Sequence, residues 1–399
     1  MSTTDFYTEE EVVKLAQNLV RIPSHKDVPD REREIGKYIY NYCRDNGLEV
    51  AMQDVEGERK NVLIYLRGEG NGKTLLLNGH TDTIPPYNMS IDPFKGEIKE
   101  GCLWGRGSVE MKGGLASMIT ALLALKRKGE KLPGDIIVSA VVGEEEKSDG
   151  TETLVQSGIK ADGAIVGKPS DYNYAVGHRG LEWLKITFYG KAVHGGVTDE
   201  GRNAILMAAD FITEVEKNLY PKIRKRFNKY MGESDINIGR IEGGHRPSTV
   251  ADRCTLMIDR RYIKGESIST IVSEIREIID KLKEKKPGFD AKVERMQENI
   301  MNKYYHFYHY TSPDADIVGK TIKVLKKNLE KEPQMTIKGG WTDAATLSYY
   351  GRIPTVITGP GNFSFSHTKD ERVPIKDLYN YVKIYADIAE EFCGEKIQV

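Results

Sequence analysis

The stretch TLLLNGHTDT, residues 74–83, joins a short apolar run directly to polar side chains that can carry chemistry. Three successive leucines predict a strand that is buried on both faces, as in the parallel sheet of an α/β protein. His80 and Asp82 follow two positions apart, so their side chains lie on one side of an extended chain. Because ligands of open α/β sheets bind beyond the carboxyl ends of the strands, we expect a functional site at this point.

A second predicted strand ends in the same way. The run DIIVSAVVGEEEKSDG, residues 135–150, brings the consecutive glutamates Glu144, Glu145 and Glu146 to the edge of the sheet. Adjacent carboxylates repel one another, so either solvent surrounds these side chains or a cation neutralises them. The sequence around this strand leaves both interpretations open.

Two glycine-rich loops add further polar candidates. GRGSVEMKGG, residues 105–114, holds Glu110 between glycines that allow the backbone to turn tightly. GPGNFSFSHTKDERVPI, residues 359–375, places His367 after another predicted strand. A single histidine is usually structural, but histidines and carboxylates that arrive from several strand ends fit a cation such as Zn²⁺, Co²⁺ or Mn²⁺.

The composition excludes several classes of protein. The 399 residues include 59 acidic and 58 basic ones, which leaves a net charge of −1, so nucleic acid is not an expected partner. The N-terminus lacks the pattern of a signal peptide and no run of about eighteen apolar residues occurs, so we expect no membrane span. The four cysteines are scattered and form no CxxC pair, which indicates free thiols and a cytoplasmic protein.

The alternation of strand and helix patterns divides the chain into two regions. Residues 1–181 and 294–399 alternate apolar runs with helical spacing, which predicts an α/β domain. Residues 182–293 combine strand-like runs with long helical patterns at 203–218 and 268–285, which predicts an inserted α+β domain. The chain is also longer than one ordinary core, which favours two domains.

The motifs together resemble peptidase family M20. HTDT, GRGSVEMKGG, GEEEKSDG, KAVHGGVTDEGRNAI and GPGNFSFSHTKDERVPI occur in that family's order and spacing over essentially the whole chain. The family includes acetylornithine deacetylases, succinyl-diaminopimelate desuccinylases, aminoacylases and glutamate carboxypeptidases. The resemblance implies a zinc-peptidase-like α/β catalytic domain with two bridged metal ions, interrupted by a ferredoxin-like lid domain through which two subunits form a homodimer.

The resemblance also implies roles for individual residues around the metal. Four positions match the family's metal ligands: His80, Glu110 as the bridging carboxylate, Glu146 and His367. Asp82 matches the carboxylate that orients the histidine ligand from behind. Glu145 matches the general base, because the family pattern at GEEEKSDG is a carboxylate followed by two glutamates.

Further matches concern the substrate. His194 matches a lid histidine that crosses to the partner subunit's site and stabilises the oxyanion. Arg261, with the neighbouring Arg260 as a one-residue alternative, matches the arginine that holds a substrate carboxylate. Gly359 and Gly361 match a turn whose backbone amides assist in binding.

Two positions depart from the family pattern. The bridging residue is normally Asp, and Glu110 is one methylene longer. After AIVG the family has a glutamate that ligates an ion, whereas this chain reads GKPS with Lys168. An ammonium has no lone pair, so we expect Lys168 to replace one cation, pair with Glu110 or another carboxylate, and leave one ion per protomer. The alternative is that Lys168 points to solvent.

These residues predict a hydrolase that cleaves an amide bond in a small carboxylate-bearing substrate, such as an N-acyl amino acid or a dipeptide. Two alternatives remain: an inactive relative that binds a carboxylated molecule or a partner, and an enzyme that uses Lys168 as a nucleophile or acid/base in a different reaction. The aromatic and histidine candidates for lining the pocket, with ordinary packing as their alternative, are Tyr304, Tyr305, His306, His309 and Trp341.

Overall fold

The computed structural model describes residues 3–329 and 332–397 of the chain. Its α-helices are α1 (Glu9–Val20), α2 (Arg33–Asp45), α3 (Gly113–Lys128), α4 (Asp149–Gln156), α5 (Ala204–Glu214), α6 (Tyr220–Arg224), α7 (Ile268–Lys285), α8 (Asp316–Asn328) and α9 (Ile375–Cys393). Short 3₁₀ or π turns lie at Thr3–Phe6, Ser108–Lys112, Thr198–Glu200, Val215–Leu219, Gln297–Asn299, Thr346–Tyr350 and Phe363–Phe365. The strands are β1 (Glu49–Glu56), β2 (Arg59–Leu66), β3 (Leu75–His80), β4 (Glu97–Lys99), β5 (Cys102–Trp104), β6 (Ile136–Val141), β7 (Gly163–Val166), β8 (Gly177–His178), β9 (Gly180–Tyr189), β10 (Phe227–Asn228), β11 (Gly232–Glu233), β12 (Asp235–Gly243), β13 (Arg253–Tyr262), β14 (Ala291–Arg295), β15 (His309–Tyr310), β16 (Thr355–Ile357) and β17 (Arg372–Pro374).

A six-stranded sheet in the order β1-β2-β6-β3-β7-β16 is the centre of the larger domain. Strands β6, β3, β7 and β16 run parallel, and β1 and β2 extend the sheet antiparallel at one edge. Every residue of β3 and β6 is buried, as their apolar sequences predict. Because the four parallel strands point the same way, the loops that follow them meet at one edge of the sheet. The predicted α/β sheet is confirmed.

Helix α3 fills the core on one face of this sheet, where it packs against α1 and α9. Its apolar side chains, among them Leu115, Ile119 and Leu122, are completely buried, and burial of each stabilises the fold by roughly 1.5–3 kcal/mol. Among the described residues, the segment Ser108–Lys128 alone is long and apolar enough to cross a membrane by these two criteria. Its apolar window is completely buried inside the protein, so its apolar character is explained by the core.

The inserted region forms a β-α-β-β-α-β unit built from β9, α5, β12, β13, α7 and β14. Its antiparallel sheet has the order β12-β13-β9-β14, which is the ferredoxin-like arrangement that the resemblance implies. A separate apolar core that includes Phe188, Phe211 and Ile275 fills the space between this sheet and the helices. Helix α7 covers the predicted range and is capped by Ser267, whose hydroxyl accepts a bond from the Thr270 N–H.

Two short strands connect the lid to the larger domain. Strand β8 directly precedes the lid and pairs antiparallel with β15, which follows it, so that His178 lies opposite His309. Both histidines are buried, with the His178 Nε2 3.1 Å from the Thr342 hydroxyl and the His309 Nδ1 2.9 Å from the Ser348 hydroxyl. Burial lowers the pKa of His178 to about 4, so its imidazole is neutral at pH 7.

Candidate active site

Asp82 joins the loops that follow β3 and β6. Its two carboxylate oxygens accept hydrogen bonds from the backbone N–H groups of Glu144, at 3.1 Å, and Glu145, at 2.8 Å. The Nδ1 atom of His80 lies 3.3 Å from Asp82 Oδ1 and 3.0 Å from the Asp82 carbonyl oxygen. Burial raises the pKa of Asp82, but His80 and the two N–H groups lower it to about 2. Asp82 is therefore an ionised carboxylate that fixes both His80 and the glutamate loop.

Lys168 lies at the centre of these groups and is 1% exposed. Its Nζ atom is 2.6 Å from His80 Nε2, 2.7 Å from Glu110 Oε1 and 2.8 Å from Glu144 Oε1. Burial alone would lower the pKa of Lys168, but the carboxylates of Glu110, Glu144 and Glu145 raise it well above its ordinary value. The side chain is therefore a buried ammonium, and the alternative that it points to solvent is wrong.

Two groups of side chains bring candidate ligand atoms within 4.8 Å of one another. The first is Glu110, Glu145 and His367, and the second is His80, Glu144 and Glu145. In the first group the His367 Nε2 lies 2.9 Å from Glu145 Oε1. Glu110 Oε2 is buried and has no hydrogen-bond partner among the described residues, as expected of an oxygen that ligates an ion. Two carboxylate oxygens and one imidazole nitrogen are a donor set that suits Zn²⁺.

The structure differs from the sequence prediction at the three glutamates. Glu145, and not Glu146, contacts His367, whereas the Glu146 carboxylate forms an ion pair with Arg31 and belongs to neither candidate group. The cause is a tight turn after β6, in which the N–H groups of residues 146, 147 and 148 all donate to the Gly143 carbonyl oxygen. This turn directs the first two glutamates inward and the third toward Arg31.

Glu144 is the glutamate of the site to which the sequence assigned no individual role. It is 7% exposed, and its carboxylate lies against Lys168 and 3.6 Å from His80 Nε2. Burial raises the pKa of Glu144 to about 7, although Lys168 and His80 lower it. The family pattern gave roles to Glu145 and Glu146 alone, and it is the geometry of the turn that brings Glu144 to Lys168.

A cavity of about 290 Å³ lies above these residues, at the junction of the larger domain and the lid. The carboxylates, Lys168 and His367 form one wall of it, and Leu181, Trp183 and Arg261 of the lid contribute another. Junctions between domains are common positions for the pockets of small ligands. The charged groups on one wall and the apolar groups elsewhere fit a small polar substrate.

Of the two arginine candidates, the structure brings Arg261 to the cavity. Its guanidinium is held by the Asp259 carboxylate, with Nε and Nη2 each 2.9 Å from one of the two oxygens. Arg260 is buried instead, where it pairs with Glu266 and donates to the Asp235 carbonyl oxygen at 3.0 Å. Arg260 therefore has a structural role within the lid.

Three further predicted substrate contacts lie outside the lining of this cavity, and for His194 the predicted role is in the partner subunit's site. His194 is exposed on the lid, where its Nδ1 accepts a bond from the Gly196 N–H at 3.0 Å. The Gly359 N–H donates to the Ser170 hydroxyl at 3.2 Å, and the Gly361 N–H bonds to the Asp377 carboxylate. Both glycine amides thus form hydrogen bonds within the fold. The sequence had suggested that they face a substrate.

Among the aromatic and histidine candidates, His306 and Trp341 line the cavity, with ring centres 4.6 Å apart. Tyr304 and Tyr305 lie outside its lining, and His309 belongs to the connection between the domains. Ordinary packing is therefore the role of most of this aromatic segment.

The profile of the peptidase family M20/M25/M40 matches residues 76–391, which include all the groups of the site except Arg31. The chain belongs to this family. This M20 protein is 29% identical over 414 aligned residues to the N-formyl-4-amino-5-aminomethyl-2-methylpyrimidine deformylase of Halalkalibacterium halodurans, covering 96% of the chain and 95% of the relative. It is 26% identical over 390 residues to the acetylornithine deacetylase of Buchnera aphidicola, covering 96% and 98%.

A solved structure agrees with this assignment. The aminopeptidase PepT from Bacillus cereus superposes on the M20 protein with a TM-score of 0.79 at 25% identity, and the match covers 97% of the chain and 99% of that structure. The family and the named activities of its members make this protein an M20-type metallohydrolase with the fold of its relatives.

Proposed function

We propose that this M20 protein hydrolyses an amide bond in a small carboxylate-bearing substrate, such as an N-acyl amino acid or a dipeptide, with one divalent ion per protomer. The observation that carries the proposal is the cluster of Glu110, Glu145 and His367 at one wall of a cavity that Arg261 also lines. An acidic ligand set below a cationic recognition group suits a substrate that has a carbonyl at one end and a carboxylate at the other.

Glu110, Glu145 and His367 would hold the ion. Three protein ligands that leave an open position are the pattern of catalytic zinc sites, and Co²⁺ and Mn²⁺ accept the same donors. A bound ion supplies Lewis acidity toward the scissile carbonyl and lowers the pKa of water. Zn²⁺ is the ion that we expect first, because the set includes an imidazole.

Lys168 would take the place of a second ion. Its ammonium lies within 2.8 Å of His80, Glu110 and Glu144, so the atoms that a second ion would need are already engaged. The single positive charge offsets part of the negative charge of the carboxylates, as a cation would. This contact supports a count of one ion instead of two.

We further propose Glu144 as the general base, one residue before the position that the sequence suggested. Glu145 contacts His367 and takes part in both candidate groups, which suits a ligand. Glu144 lines the same cavity, where it can accept a proton from water as the oxygen attacks the carbonyl and return it to the leaving nitrogen. Glu145 remains the alternative base.

The substrate carboxylate would bind to Arg261. A guanidinium presents a planar pair of donors that matches a carboxylate, and Asp259 already fixes its orientation at the cavity. Asp259 uses part of the guanidinium, so a substrate carboxylate would bind to the donors that remain.

We also propose a homodimer that forms through the lid. Ile205 and Leu206 on α5 and Ile241 on β12 are 40%, 63% and 53% exposed, and β12 is the edge strand of the lid sheet. An apolar surface beside an open sheet edge suits pairing with a second copy. In such a dimer His194 of one lid would reach the other subunit's site and stabilise the oxyanion.

The division into residues 1–181 with 294–399 and residues 182–293 is supported by the apolar cores, of which two lie in the larger region and a separate one lies in the lid. A cytoplasmic location is supported by the four cysteines, all of which are free thiols.

The experiment that tests the proposal combines metal analysis with a screen of N-acyl amino acids and dipeptides. We expect one ion per protomer and hydrolysis by the loaded protein. Glu145→Gln should lose the ion, Glu144→Gln should keep the ion and lose turnover, and the matched control Glu146→Gln should keep both. Turnover that survives in Glu144→Gln and ceases in Glu145→Gln with the ion retained would return the base to Glu145.

A second candidate function is favoured by Lys168 itself. The ammonium could make the site a binding pocket for a carboxylated molecule without hydrolysis, because it removes one of the family's two ions. Protein that takes up no ion and hydrolyses nothing in the screen would support this candidate. A nucleophilic Lys168 is disfavoured, since the surrounding carboxylates hold it in the protonated form.

A further inference from the structure

Lys338 is a second buried cation at the cavity, and the metal site does not account for it. Its side chain is 7% exposed and lines the cavity together with Trp341 and Phe363. The Nζ atom donates to the Pro169 carbonyl oxygen at 2.9 Å and lies 3.9 Å from the centre of the Phe363 ring. Within residues 3–329 and 332–397, no carboxylate forms an ion pair with it.

The other two cations of the cavity are neutralised locally. Lys168 lies between Glu110 and Glu144, and Arg261 is held by Asp259. Lys338 directly contacts a carbonyl oxygen and an aromatic face, which satisfy one of its three N–H donors, whereas Glu110 and Glu144 act on its charge only from beyond ion-pair distance. Because burying a charge that has no direct anionic partner is costly, a lysine at this position is explained best by an anionic group that binds there.

We propose that Lys338 determines specificity by binding a second carboxylate of the substrate, in addition to the carboxylate that Arg261 receives. The inference rests on the proposed function and narrows the substrate to N-acyl amino acids with two carboxylates. The second carboxylate is either the end of the acyl group or the side chain of an acidic amino acid.

The position of Lys338 supports separate binding of the two substrate carboxylates by Arg261 and Lys338. Arg261 belongs to the lid, whereas Lys338 lies on the larger domain and bonds to the residue that follows Lys168. The two cations therefore bind from different domains, and a dicarboxylate held by both would connect the lid to the catalytic residues. Hydrogen bonds to charged groups contribute about 1.5–3 kcal/mol, so loss of the Lys338 contact should weaken binding about tenfold or more.

The test compares three substrates on the metal-loaded protein: N-acetylalanine, N-succinylalanine and N-acetylglutamate. We expect at least one dicarboxylate to have a kcat/KM about tenfold or more above that of N-acetylalanine. A preference for N-succinylalanine would place the second carboxylate on the acyl group, and a preference for N-acetylglutamate would place it on the amino acid. Lys338→Met should abolish this preference by raising the KM for the dicarboxylate about tenfold or more, whereas its effect on the KM for N-acetylalanine should be smaller. Lys338→Arg should restore part of it, and the exposed Lys326→Met serves as the matched control.

A measurement without turnover separates this inference from the proposed reaction. Calorimetry should show that glutarate binds more tightly than butyrate, and that Lys338→Met removes the difference while Lys326→Met keeps it. If no substrate is hydrolysed but glutarate binding depends on Lys338, the proposed hydrolysis is wrong and the proposed carboxylate site at Lys338 is supported. If hydrolysis proceeds while Lys338→Met changes neither binding nor preference, or lowers kcat equally for all three substrates, Lys338 does not bind a second carboxylate.

Discussion

Replacing Lys168 with glutamate should convert the site from one ion to two. The substitution removes an ammonium that contacts Glu110 at 2.7 Å and Glu144 at 2.8 Å, and it adds a carboxylate at a position that is 1% exposed. Removing one partner of a buried ion pair costs about 3–5 kcal/mol. Protonation limits this cost, because neutralising a carboxylate of ordinary pKa at pH 7 requires about 4 kcal/mol. In chelator we therefore expect Lys168→Glu to lower the free energy of unfolding by about 3–5 kcal/mol.

Metal should reverse this loss in Lys168→Glu. A ligand at one hundred times its Kd stabilises the folded state by about 2.7 kcal/mol, so urea unfolding with and without zinc should show at least that recovery. Lys168→Met is the matched control, because it removes the same charge without adding a ligand and should be destabilised without gaining an ion. Elemental analysis should find two ions in Lys168→Glu and one in the unsubstituted protein. Equal ion counts in both, or a loss below about 1 kcal/mol in chelator, would refute the view that Lys168 replaces a cation.

Three further predictions concern other parts of the fold. Changing Arg59, which is buried between Glu32 and Asp149, to Met should lower the free energy of unfolding by about 3–5 kcal/mol. The exposed Arg44→Met should lower it by less than about 1 kcal/mol in the same urea titration. The pKa of His178 is about 4 in the folded state, below its unfolded value. Below about pH 6.5 the unfolded state therefore binds more protons, and stability falls as the pH drops. Between pH 7 and 5 the free energy of unfolding should decrease by about 2 kcal/mol, and His178→Gln should reduce this decrease. Leu206→Glu should yield a folded monomer in sedimentation velocity, and an unchanged dimer would exclude this face of the lid.

The sequence predicted those parts of the site that local patterns determine. A strand that ends in HTDT and a glycine-rich loop around Glu110 are local features, and the parallel sheet brings His80 and Glu110 to one side chain, Lys168. The range of α7 followed from its helical spacing. These elements could be predicted because each depends on residues a few positions apart.

The features that the sequence did not show depend on contacts between distant residues. The ion pair of Glu146 with Arg31 could not be predicted, because Arg31 lies 115 positions away and nothing in GEEEKSDG shows which carboxylate that arginine would bind. Lys338 lies in no recognisable motif, and only its burial beside Phe363 distinguishes it from any other lysine. The Gly359 amide resembled a substrate contact until the fold placed the Ser170 hydroxyl beside it.

The pairing of β8 with β15 means that the chain leaves the larger domain and returns to it at adjacent points. Paired residues on antiparallel strands are about 4.5–5.5 Å apart, so a tight turn could join residues 178 and 309 directly. The lid is therefore an insertion that two paired strands join to the larger domain. Evolution or an engineer could exchange it for another insertion without changing the strand order of the central sheet. The hydrogen bonds between the two strands also keep the points where the chain enters and leaves the lid side by side.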